Sequence, residues 1–201
     1  MKKMILTILD KYLNEYPQEQ DRQSILKKYL ENHNDKEIND WNNFDGHAVA
    51  GGFIYAIKEK KFLVLHHKDL DMYVYPGGHI DETDKSPLEA AKREIEEETG
   101  LHNLKQIKLT NDKLVPIDID THVIAYNKRL DLPEHYHFDF RYLFAINKIE
   151  DIQIDTEESS CYKWIDTKDL YNDPCYGKIA NKIERLLLMK INNSTINIKN
   201  I

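Results

Sequence analysis

Residues 77–101 read GGHIDETDKSPLEAAKREIEEETGL, and the reading of this stretch frames the rest of the chain. Ser86 stands where a helix can be capped, Pro87 suits the first helical position, and Glu89, three residues after Ser86, completes the pattern of a capping box. Gly100 is the expected stop. The predicted helix carries Leu88, Ala91 and Ile95 as an apolar stripe and places four glutamates among positions 94 to 98. These acids sit at the wrong end. A helix C-terminus is partially negative, and glutamates three or four apart repel one another by about 0.2–0.5 kcal/mol per pair. Something cationic is expected to balance Glu94, Glu97 and Glu98.

Around this helix the texture is that of strands. Residues 48–57 (AVAGGFIYAI), a charged turn KEKK and residues 62–67 (FLVLHH) read as an antiparallel hairpin, and MYVYPGG at 72–78 ends in a Pro-Gly-Gly turn. Beyond the helix, LKQIKLT (104–110), VPIDIDTHVIAY (115–126), HYHFDFRYLFAI (135–146) and CYKWI (161–165) suit strands, and Ile179, Ile183, Leu186 and Leu187 mark a last helix. At the other end, Met4, Ile5, Ile8, Leu9, Tyr12 and Leu13 recur at helical spacing, as do Ile25, Leu26, Tyr29 and Leu30 after Pro17. Two short amphipathic helices are expected there, packed on the main body or on a second copy of the chain.

The 201 residues allow one sizeable core with an extension. A net charge of −7 argues against a nucleic-acid binder with an extended basic surface. Cys161 and Cys175 lack the spacing of a zinc site or a disulfide framework, which fits a reducing cytoplasm. The apolar run at the start is broken by Asp10, and no stretch approaches the length of a membrane span, so no membrane association is expected.

The pattern Arg93, Glu94, Ile95, Glu97, Glu98, Gly100, Leu101 resembles the second half of the box of the Nudix hydrolase family. The first half departs from it: five residues after Gly78 stands Asp84 where the family has Glu, and eight residues rather than seven separate Asp84 from Arg93. In the family that early Glu helps to hold the arginine, so Asp84, Glu82 or neither takes its place. By itself a glutamate run reads as a solvated charged face; the ordered glycine turn, capped helix, Arg-Glu, Glu-Glu and stop glycine outweigh that reading. YVYPGGH, VPIDIDTHVI, HYHFDFRYLF and EESSCYKWIDTKDL extend the resemblance to a subgroup with an N-terminal helical segment.

The resemblance implies an α/β fold, a Nudix-like α/β/α sandwich with a mixed β-sheet. Residues 1–43 would form the helical extension, 44–190 the hydrolase domain and 191–201 a frayed tail. It implies Mg²⁺ or Mn²⁺ held by Glu94, Glu97 and Glu98 with the carbonyl of Gly78, an all-oxygen donor set of the kind hard cations take, and Arg93 orienting a carboxylate. The metal would bridge a diphosphate and acidify a water for attack on phosphorus. Glu157 and Glu158 lie where some members recruit a distal base.

Strand alternation puts His135, His137, Asp139 and Arg141 on one face, and aligns Asp118, Asp120 and His122 likewise. These faces read either as substrate contacts or as a buried hydrogen-bond network, and a His-x-His strand also suits a transition metal. His79, next to the glycine turn, joins the substrate-binding candidates, whereas His47, His66 and His67 read as ordinary surface residues. The function expected is pyrophosphohydrolysis of a small-molecule nucleoside diphosphate linked to another moiety, the alternative being a non-catalytic Nudix-like module that senses a nucleotide or nucleotide sugar. A homodimer through the first forty residues is a further expectation.

Overall fold

The computed structural model describes the chain except residues 127, 129–130, 172–175 and 193–201. It opens with α1 (Lys2–Glu15), a 3₁₀ turn (Pro17–Glu19), α2 (Ser24–Asn32) and α3 (Asp35–Asn39). The third helix escapes a periodicity search because it is five residues long. Its signal is a polar one: the Asn34 side chain accepts from the N–H groups of Lys36 and Glu37, and the Glu37 carboxylate accepts from the Asn34 N–H at 2.7 Å.

Among the described residues eight strands follow: β1 (His47–Ala56), β2 (Lys61–His67), β3 (Met72–Val74), β4 (Gly77–His79), β5 (Lys105–Gln106), β6 (Asp118–Ile124), β7 (His135–Ile146) and β8 (Ser159–Asp166). They form one sheet in the order β3-β2-β1-β7-β5, with β4 on β1, β6 on β7 and β8 on β2. β1 and β7 run parallel over ten residue pairs, His47↔His137 to Ala56↔Ile146, and the other pairings are antiparallel, so the sheet is mixed. The expected Pro-Gly-Gly turn is instead largely strand: Gly77, Gly78 and His79 pair with Gly51, Ala50 and Val49.

Alternation along β7 sorts the layers. Phe138, Phe140, Tyr142 and Phe144 enter one core with α1, α2 and α4 (Pro87–Thr99). Leu143 and Ala145, on the opposite face, enter a second core with α5 (Thr167–Tyr171) and α6 (Gly177–Asn192). The architecture is therefore an α/β/α sandwich preceded by a helical extension. That extension spends most of its apolar stripe on its own chain, since Ile5, Ile8, Leu9, Tyr12, Leu26 and Leu30 are buried in the first core, while Ile25 is exposed. α6 continues to Asn192, and residues 193–201 of the expected frayed tail lie outside the described residues, as does Cys175.

Candidate active site

The helix α4 is delimited as its sequence demands. Ser86 Oγ accepts from the Glu89 N–H at 3.2 Å, Pro87 occupies the first turn, and Gly100 adopts the left-handed conformation at φ 69° that ends a helix without a Cβ clash. The reciprocal half of the capping box is displaced by one residue, because Glu89 accepts from the N–H of Lys85, at 3.2 Å, rather than from that of Ser86.

Arg93 is the hub of the loop and helix. Its Nη2 donates to Asp84 Oδ2 at 2.9 Å and to the carbonyl of His79 at 2.8 Å, while Nη1 reaches Glu97 Oε2 at 2.8 Å and Glu94 Oε1 at 3.0 Å. Asp84 thus holds the arginine despite its shorter side chain and the extra loop residue, and Glu82 is exposed. Asp84 also accepts from the Asp81 N–H at 2.9 Å, which folds the long loop back on itself.

The three glutamates have different surroundings. Glu97 points outward, with 57% of its side chain exposed. Glu98 turns inward, where Oε1 accepts from the Gly77 N–H at 2.8 Å. Burial pushes its carboxyl up to about 8 against that hydrogen bond, with the charges of Glu94, Glu158 and Asp155 adding to the rise. Burial also raises Glu94, to about 7, although Arg93 opposes the shift. The backbone of Gly78 lies so close to Glu94 that a Cβ there would stand 2.7 Å from Oε2. The fit to a hard divalent cation rests on this arrangement: the Glu94 and Glu98 carboxyls, both raised by burial, lie against the Gly77–Gly78 backbone, and Glu97 stands at the open side on Arg93.

Of the two distal acids, Glu158 carries the charge that acts on Glu94 and Glu98, and its carbonyl accepts from the Lys68 N–H at 2.9 Å. Glu157 is exposed and gives its N–H to Asp155 Oδ1 at 2.7 Å. Asp155, which the sequence did not single out, reaches this site through its N–H bond to the Glu98 carbonyl at 3.2 Å. Only the local turn chemistry of Asp155 hinted at it.

On the other face of the sheet the polar strand residues divide into two groups. Asp139 and Arg141, read from the sequence as either substrate contacts or members of a buried hydrogen-bond network, are bound into such a network: Arg141 has 7% of its side chain exposed and gives its Nε to Asp139 Oδ2 and its Nη2 to Asp120 Oδ2, both at 2.9 Å. Tyr75 completes the enclosure by donating to Asp139 and accepting from Arg141. Arg22, from the extension, clasps Asp118 at 2.8 and 3.0 Å and Asp120 at 2.7 Å. Lys182 of α6 meets Asp118 at 2.5 Å. Burial would raise the Asp118 carboxyl, but the Arg22 hydrogen bonds and the charges of Lys182 and Arg141 hold it at about 2. These residues are a buried ion network.

The second group is histidine. His135, His137 and His79 meet one another with His122 and His47. His47 is 1% exposed, contrary to its reading as a surface residue. Its signal lay in register, because β1 pairs His47 with His137. His66 remains apart, bonded to Ser160 at 3.0 Å.

The match to known proteins follows this geometry. Residues 46–187 match the NUDIX domain model. A probable DHNTP pyrophosphohydrolase of Lactococcus lactis is 34% identical over 95 residues, covering 47% of this chain and 52% of that protein; the match thus spans about half the relative's length. An RNA pyrophosphohydrolase of Bartonella clarridgeiae is 28% identical over 140 residues, 64% of this chain and 73% of that protein. The structure of an Ap4A hydrolase of C. elegans in a binary complex superposes with a TM-score of 0.53 at 22% identity, covering 70% of this chain and 97% of that one. A NUDIX family hydrolase from Clostridium perfringens gives 0.51 at 24% identity, covering 71% and 97%. With the sandwich fold, the Arg93-centred helix and a domain match over most of its length, the chain belongs to the NUDIX family.

Proposed function

We propose that this protein is a divalent-metal-dependent pyrophosphohydrolase that cleaves the diphosphate linkage of a small-molecule nucleoside diphosphate derivative. The observation that carries the reading is the approach of Glu94 and Glu98 to the Gly77–Gly78 backbone, with Arg93 gripping Glu94 and Glu97 on one side and held by Asp84 on the other.

Glu94, Glu97 and Glu98 would hold Mg²⁺ or Mn²⁺, with Gly78 beside them. A cation bound there supplies charge compensation for the diphosphate and makes water a better nucleophile. Arg93 limits the rotation of Glu94 and Glu97 through Nη1, and Asp84 limits Arg93 in turn. Glu98 is oriented by the Gly77 N–H. Glu158 is the distal base of this proposal, because its charge acts on both Glu94 and Glu98. Cytoplasmic residence belongs to the proposal; among the described residues no helix is long and apolar enough to cross a membrane.

The test is product formation, by mass spectrometry, from a panel holding dihydroneopterin triphosphate, an RNA with a 5′-triphosphate, a dinucleoside polyphosphate, ADP-ribose and sugar nucleotides. One product that requires Mg²⁺ or Mn²⁺ and disappears in Glu97→Gln supports the hydrolase. Binding of one of these compounds without turnover would replace it with a sensing module.

A further inference from the structure

The histidine face stands apart from the carboxylates. Consecutive residues of β4 point to opposite sides of the sheet, so Gly78 addresses Glu94 on α4 while His79 addresses the other face. There the register assembles a cross-strand row, His47 of β1 beside His137 of β7 beside His122 of β6. His135 lies two residues before His137 on the same strand face, and His79 pairs opposite Val49, two residues beyond His47. Ligand-capable nitrogens of His47, His79 and His137 all lie within 4.8 Å of one another.

The hydrogen bonds show which nitrogens are spent. His47 Nδ1 lies 3.4 Å from the Asn43 carbonyl, His135 Nδ1 2.7 Å from the Pro133 carbonyl, and His122 Nδ1 3.1 Å from Asp120 Oδ2. Carbonyl and carboxylate oxygens only accept, so the two carbonyls place the proton on Nδ1 of His47 and His135 and leave Nε2 with its lone pair; Asp120 favours the same tautomer in His122. Backbone carbonyls and carboxylates fill this orienting role behind metal-bound histidines. His47 Nε2 is buried and has no hydrogen-bond partner among the described residues. A bare buried acceptor is costly, and here it faces other imidazoles.

We propose that His47, His79 and His137, with His135 as a fourth donor, form a binding site for a first-row transition-metal ion of the Zn²⁺ class, distinct from the Mg²⁺ or Mn²⁺ site on α4. The spacing supports it. His135 Nε2 and His137 Nε2 are 3.3 Å apart, and two nitrogens at about 2.0–2.1 Å from one tetrahedral zinc ion stand about 3.3–3.4 Å apart. An imidazole set selects borderline ions such as Zn²⁺, Co²⁺ and Ni²⁺ over Mg²⁺, whose preference is for oxygen. The Arg93 bond to the His79 carbonyl ties the edge of this site to the carboxylate helix.

The experiment is a Co²⁺ titration of the full chain carrying Glu94→Gln and Glu97→Gln, which disables the carboxylate site and separates this inference from the hydrolase reading. One equivalent of Co²⁺ with the strong visible bands of a tetrahedral nitrogen site, displaced by Zn²⁺ and not by excess Mg²⁺, is expected. Adding His137→Ala should weaken binding at least about tenfold, with far-UV circular dichroism confirming the fold. His79→Ala, at the open edge of the cluster, gives the same readout if His137→Ala does not fold. Absence of stoichiometric binding, or binding unchanged by the substitution in a folded variant, overturns the site.

Discussion

Asp84 and Arg93 form a two-point contact, Oδ2 to Nη2 at 2.9 Å and Oδ1 to Nε at 3.4 Å, across a loop one residue longer than the family spacing. The shorter acid reaches because the loop folds back through the Asp81 N–H bond to Asp84. Hydrogen bonds to charged groups are worth about 1.5–3 kcal/mol. Asp84→Ala should therefore lower turnover by roughly 10–100-fold with KM little changed, whereas Glu82→Ala should leave both near wild type. Steady-state kinetics on the identified substrate decides the matter; equal effects of the two substitutions would remove Asp84 from its positioning role.

Gly78 tests the cradle. An alanine Cβ would press on the Glu94 carboxylate at 2.7 Å, and a flexible side-chain end can move aside without unfolding the protein. The fold of Gly78→Ala should survive, and the Mg²⁺ concentration for half-maximal activity should rise by roughly tenfold or more. A metal titration that overlays wild type would show that Gly78 has no part in cation binding.

The raised carboxyls give a pH dependence with a definite sign. With folded values of about 7 for Glu94 and about 8 for Glu98, above the usual 4.5, the folded state holds these protons more tightly than the unfolded chain does. Their contribution to stability is present below about pH 4.5 and is lost as pH rises through 7 to 8. Metal-free protein should show a glutamate-dependent fall in thermal stability over that range, absent in the variant with Glu94→Gln and Glu98→Gln. Apparent Mg²⁺ affinity should increase over the same interval, since the cation competes with protons. Calorimetry at several pH values measures both, and a flat difference between parent and variant would contradict the assigned shifts.

The buried ion network predicts a large structural effect far from the glutamates. Arg22→Ala leaves Asp118, with 1% of its side chain exposed, facing fewer cations, and removal of one member of a buried pair is expected to cost about 3 kcal/mol. Denaturant unfolding should show this loss, and Lys11→Ala, whose partner Asp112 is more exposed, should show much less.

The helix α4 and its chemistry were legible because their signals are local: a cap, a proline, a stop glycine and carboxylates at fixed spacings. Strand alternation likewise placed His135, His137, Asp139 and Arg141 on one face, but it could not say what covers that face. Whether a polar strand residue such as Asp118 meets solvent or a counter-charge depends on Arg22, 96 residues upstream, and Lys182, 64 residues downstream. His47 was misread for the same reason, since its neighbours come from β4 and β7. The short helix α3 was overlooked because periodicity needs more turns than it has.

The Arg22 clasp on Asp118 and Asp120 bears on where this molecule can be cut. The recognisable family portion starts at residue 46, yet one of the cations that neutralise Asp118 and Asp120 is supplied by residue 22. A chain trimmed to the matched residues would keep both acids and lose the arginine that bridges them, an electrostatic wound in its own sheet.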